Sequence, residues 1–151
     1  MGGATVRAME KLTSVGGIRW ALLKWTTVPE DVPPEKVLIH RLRVVQTPLF
    51  ALYLHKHIRP DPGRDLHDHP ASFFSVIFKG GYIERRMGAS MPLKHFALSA
   101  RWMKAEWPHT IQELLRVPTW SVLLMGRRRR MWGFHTDNGW VPYKEYSRLN
   151  G

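Results

Sequence analysis

Residues 66–84 read LHDHPASFFSVIFKGGYIE, and what this stretch folds into governs the reading of the rest of the chain. Its middle, SFFSVIFK, is an apolar run of strand length; GG at 80–81 forms turns, and YIERR has the composition of a returning hairpin partner. Ahead of the run stand His67 and His69, with Asp68 between them and Asp65 just before. Side chains alternate along an extended chain, so the two imidazoles leave the backbone on the same side. That is chelating geometry on a β scaffold. Two imidazoles are only part of a mononuclear metal site, which generally takes at least three protein ligands, so a third is required. His109 in AEWPHTI, at the start of a later strand-like run, is the leading candidate, and Glu84 offers a carboxylate from the strand after the glycines. His55 and His57 in LHKH repeat the H-x-H spacing. The later pair is preferred because Asp65 and Asp68 are placed to orient imidazoles from behind.

Working outward, KVLIHRLRVV and PLFALYLHKHI precede the histidines as extended runs, and KHFALSARWMKAEW, HTIQELL, TWSVLLMGRRRRMWGFH and GWVPYKEY come after them. Short strands separated by Gly, Pro or Asn, with no convincing helix after residue 36, predict an all-β antiparallel sandwich or barrel. The N-terminus reads differently. Ile18, Leu22 and Trp25 recur at helical spacing after Gly17 and predict a short amphipathic helix. Pro29, Pro33 and Pro34 then break the chain. The expected organisation is an N-terminal extension over 1–36, with that helix and a Pro-rich linker, and then a β-barrel over 37–151.

At 151 residues and 44% hydrophobic content, with seven Trp, six Phe and four Tyr, the chain has material for one packed core. It contains no cysteine, which excludes disulfides, thiolate metal sites and a Cys nucleophile. No apolar run has the length of a membrane span and the N-terminus lacks a signal-peptide layout, so a cytoplasmic protein without membrane contact is expected. The formal charge of +11 favours an anionic partner. Part of the excess sits in the run Arg127–Arg130, where an extended backbone would turn at most two of the arginines towards one pocket. A charged strand edge is the plainer reading of that run.

LHDHPASFFSVIFKGGYIE, together with the later WPHTI and GFHTDNGWVPYKEY, resembles a small single-domain cupin of the bacterial and phage type over roughly residues 38 to 146. The resemblance implies a double-stranded β-helix, or jelly-roll barrel, in which His67 and His69 match the H-x-H pair of the first motif, Gly81 the turn glycine and His109 the second-motif histidine. The usual first-motif carboxylate falls on Phe73 or Phe74, neither of which binds metal. The resemblance therefore implies a three-histidine site for a divalent transition metal (Fe, Mn, Ni or Zn), with Glu84 completing it or acting as acid or base.

Two classes of function remain. One is a metal-dependent enzyme acting on a small anionic substrate, with oxygenase chemistry if the metal is iron and Lewis-acid chemistry if it is zinc or nickel. There Arg128 and Arg130 would hold the anion, Phe74 would line the pocket and Asp65 and Asp68 would stand behind the histidines. The other is a non-catalytic barrel that binds a sugar, nucleotide or nucleic acid through its basic surface, nucleic acid being the less favoured partner. Homodimer pairing through sheet edges or faces is compatible with either. His135, before the DNG turn signal, reads as structural, and His40 and His95 as ordinary exposed positions. The tryptophans read as core and rim packing, since stacking on bases requires aromatics exposed beside the arginines.

Overall fold

The computed structural model describes residues 12–15 and 18–150, with side chains from Lys24 onward. Thirteen strands and one α-helix succeed one another in chain order. They are β1 (Leu12–Val15), β2 (Ile18–Val28), β3 (Ile39–Gln46), β4 (Phe50–His57), β5 (Leu66–His67), β6 (Phe73–Lys79) and β7 (Gly81–Arg86). Then come β8 (Leu93–Phe96), β9 (Ala100–Met103), β10 (His109–Leu114), β11 (Thr119–Gly126), β12 (Gly133–Thr136), β13 (Gly139–Pro142) and α1 (Tyr143–Asn150). The strands make two antiparallel sheets, ordered β1-β2-β3-β4-β11-β6-β9 and β13-β12-β5-β10-β7-β8. The expected all-β architecture is observed.

Three local expectations are corrected. The segment predicted to be a helix after Gly17 is strand β2, which pairs with β3 from Ala21↔Gln46 to Val28↔Ile39. Apolar spacing compatible with a helix yields here to a ladder that only a distant strand can offer. The Gly80–Gly81 turn does not close a hairpin. β6 pairs with β11 and β9, while β7 lies in the other sheet against β10 and β8, so the turn carries the chain from one sheet to the other. Gly80 has φ +86°, and a Cβ there would run into the side chain and backbone of Thr119. Thr119 Oγ1 accepts from Gly81 N at 3.0 Å and lies 2.9 Å from Gly81 O, which pins the crossing. Finally, GWVPYKEY is strand only to Pro142; from Tyr143 it is helix.

Alternation sorts the inner and outer faces of the seven-stranded sheet. On β6, Phe73, Ser75 and Ile77 are buried, whereas Phe74 and Phe78 are exposed. One apolar cluster joins Phe73, Met103 and Leu123, with Tyr53 and Met125 against it; a second joins Ile77, Tyr82 and Ile111, with Leu114. The buried polar residues include His57, Ser75, Glu84, His109 and Ser121. Such groups are tolerated inside where they find partners, and Glu84 and His109 find each other.

Candidate metal centre

His67 closes the short strand β5, and His109 opens β10 directly opposite it in the ladder. His69 lies two residues past His67, beyond the end of the strand, with its backbone N–H on Ala105 O at 2.9 Å. Sheet pairing therefore brings together histidines forty positions apart. The ring centroids are 5.1 Å (His67–His69), 4.8 Å (His67–His109) and 4.9 Å (His69–His109) apart. One ring nitrogen from each lies within 4.8 Å of the others, and His69 Nε2 and His109 Nε2 are 2.8 Å apart.

Carboxylates stand behind two of these rings. Nδ1 of His109 is 2.6 Å from Glu84 Oε1, a contact that favours the proton on Nδ1 and the lone pair on Nε2, the nitrogen that faces His69. Nδ1 of His67 is 3.9 Å from Asp61 Oδ2, and the same oxygen accepts from Ile111 N at 2.7 Å. Glu84 is completely buried, and its other oxygen meets His95 Nε2 at 2.7 Å, Arg101 Nη1 at 2.7 Å and Arg86 Nη2 at 3.2 Å. Burial opposes ionisation of Glu84, yet the hydrogen bonds from His109 and His95 and the charge of Arg101 together outweigh it and hold the carboxyl well below the usual range. Burial, and after it the neighbouring His109, His67 and Arg101, pushes His69 well below its ordinary value. Burial takes His109 down to about 4 against the pull of Glu84. Both imidazoles are neutral at pH 7, the state in which a ring nitrogen ligates.

Aromatic rings wall the cluster. Phe73 meets His69 edge-on at 4.8 Å, and Trp132 and Phe134 approach His67 at 6.3 and 6.0 Å. Helix α1 is stacked on that wall through Tyr143 on Trp132 (4.6 Å) and Tyr146 on Phe134 (3.8 Å).

The three expected ligands thus come together, and the remaining site residues take other places. Glu84 sits behind His109, so its position is that of a residue orienting the ring. Asp68 points away from the histidines on either side of it, as alternation requires, and is 1% exposed. It accepts from Gly133 N (2.8 Å), Trp140 Nε1 (3.0 Å) and Arg130 Nη1 (2.9 Å), with His135 Nε2 at 3.3 Å. Asp65 accepts from Tyr146 Oη at 2.9 Å rather than from an imidazole. Residues 127–130 lie beyond the end of β11 in a loop. Arg130 is occupied there by Asp68 and by the carbonyls of His69 and Ala105, and Arg128 is exposed. Phe74 faces outward at 42% exposure; its neighbour Phe73 is the ring that meets His69. His95, expected to be an ordinary exposed position, is bound to Glu84. Four residues to which the sequence reading gave no role at the site complete the surroundings: Asp61, His95, Arg101 and Phe73. For Arg101 a signal existed, since it shares strand parity with the buried Met103.

No family model matches the sequence, and no curated protein sequence matches it. Solved structures do match in fold. KdgF from Halomonas sp. superposes with a TM-score of 0.51 at 20% identity, over 70% of this chain and 89% of that one. An RmlC-like cupin with a double-stranded β-helix fold from Methanocaldococcus jannaschii gives 0.51 at 11% identity, over 65% and 88%. FeII HppE gives 0.51 at 12% identity, over 69% of this chain and 56% of that one. The chain has the double-stranded β-helix fold of cupins.

Proposed function

We propose that this protein is a metal-dependent enzyme in which His67, His69 and His109 hold a divalent transition metal and a small anionic organic molecule is the substrate. The observation that carries the reading is the convergence of three imidazoles with Glu84 fixing the tautomer of His109. The donor set fits: neutral imidazole suits iron, zinc, nickel and copper, and an all-histidine set leaves positions open. A bound metal would supply Lewis acidity or, with iron, a site for oxygen chemistry. FeII HppE, with the same fold, supports iron as the first metal to test.

The chain's own residues do the rest. Glu84 holds the His109 ring and its proton at Nδ1, and Phe73, Trp132 and Phe134 keep bulk water off the cluster. The cation that bears on His69 and His109 is Arg101, whose guanidinium also lies 5.8 Å from the Phe73 ring. Its Nη1 lies 2.7 Å from Glu84 Oε2, so Arg101 holds in place the carboxylate that orients His109.

Elemental analysis of untagged protein prepared without chelator, beside a His67→Ala/His69→Ala double variant of confirmed fold, tests the proposal. Near-stoichiometric metal that disappears in the variant supports it, and the identity of the metal chooses between oxygenase and Lewis-acid chemistry. If both proteins stay empty after metal is added back, the 2.8 Å contact between His69 and His109 is a hydrogen-bonded imidazole pair in a metal-free binding barrel, and the proposal fails.

A further inference from the structure

The positive charge of the chain has no place in the metal centre, where Glu84 and Asp68 answer the nearby arginines. It is better explained on the outer face of the other, seven-stranded sheet. There Phe74 pairs across strands with Trp102 on one side and Leu124 on the other, and these side chains are 42%, 54% and 45% exposed. Just past the end of β11 come Arg127 and Arg128, both exposed and, among the described residues, without an ion-pair partner. Lys104, two residues after Trp102 and one past β9, is exposed, with its ammonium 5.3 Å from the Trp107 ring. The outward positions of β4, β11, β6 and β9 carry no carboxylate, and the nearby Glu106 is bonded to Arg129 at 2.8 Å.

We propose that this end of the outer face, formed by Phe74, Trp102 and Leu124 with Arg127, Arg128 and Lys104, binds single-stranded nucleic acid. Two aromatic rings on adjacent strands, about 5 Å apart in the pairing direction, offer stacking surfaces that any base can use. The arginines and the lysine supply the charge that tracks a phosphate backbone. A small anion would leave the rings bare. A second copy of this chain would cover the rings but bring arginines towards arginines, with a net charge of +11 on each partner. A base-bearing polyanion satisfies both features.

The surface is separable from the metal centre, because β6 sends Phe73 to His69 and Phe74 outward. The inference therefore goes beyond the proposed enzyme and survives if that reading fails. The test is fluorescence anisotropy of labelled dT12 and of a heparin oligosaccharide, titrated with the full chain between about 50 and 300 mM salt. Trp102→Ala should weaken dT12 about tenfold and leave heparin unchanged, because only the former has bases to stack. Trp102→Phe should restore most of the loss. Arg127→Gln/Arg128→Gln should lower the log–log salt slope for dT12 by roughly 1.4, the value for two phosphate contacts on a single strand. All variants should keep the metal content of the parent. The proposal is overturned if dT12 does not bind at the lowest salt, or if Trp102→Ala affects both ligands equally or neither. Sedimentation showing a dimer that Trp102→Ala dissociates would overturn it in favour of a second copy.

Discussion

Two pairs of histidines share the H-x-H spacing, and the fold treats them differently. His55 and His57 lie within strand β4 of the seven-stranded sheet, flanked on both sides by paired strands. Their rings are 5.6 Å apart, and the nearest partner of His57 Nε2 is Ser121 Oγ at a long 3.5 Å. His67 and His69 straddle the end of a two-residue strand, where His109 stands opposite and Glu84 stands behind His109. Spacing aims two rings alike; a cross-strand histidine and a buried carboxylate are what make one pair a site.

The largest test of that contrast is to remove the histidine that only one pair possesses. His109→Ala should abolish metal uptake, raising the dissociation constant at least a hundredfold in a metal titration. His55→Gln/His57→Gln should leave it within about twofold, and equal loss in both variants would erase the distinction. Next is Glu84→Gln, which strips the buried charge that answers the half-buried Arg86 and Arg101. It should cost about 3 kcal/mol in urea unfolding and weaken metal binding roughly 10- to 100-fold. A variant with parental stability would show that the carboxylate is not needed to hold His109.

A further test concerns protons. Burial lowers His57 to about 4, from an ordinary value of 6.5. The unfolded chain therefore takes up the proton first as pH falls, so His57 leaves stability intact above about pH 6.5 and removes it progressively down to about pH 4. The difference is on the order of 3 kcal/mol at the acid end. Unfolding curves across that window should flatten in His57→Gln, whereas an unchanged slope would place the loss elsewhere. The smallest effect is expected for Tyr146→Phe, which removes the bond to Asp65 at a cost of about 1 kcal/mol with metal content unchanged.

Much of this was legible in the residues. Short apolar runs punctuated by Gly and Pro announced the β architecture, and His67, His69 and His109 could be named because spacing and strand position are local properties. What escaped depends on partners far along the chain. Ile18–Val28 is a strand because β3 is there to receive it. Phe73 and Phe74 are chemically identical, and only the parity set by the ladder decides which meets His69. Asp61 lies in a proline-rich turn with no periodic signal, and its role appears when β10 arrives beside it. Arg130 comes after three other arginines, and the loop after β11, rather than composition, delivers it to Asp68.

Asp68 shares its two peptide bonds with the stretch that holds both histidines, and its carboxylate collects groups from the loop before β12, from β12 and from β13. Any change in the register of the histidine segment is therefore felt in the final hairpin, and the reverse also holds. Protease cleavage between residues 127 and 132 offers a way to see it. A chain whose histidine segment is immobilised should be cut there more slowly than one in which the segment is loose, so the lifetime of the arginine loop would serve as a clock for events at the imidazoles.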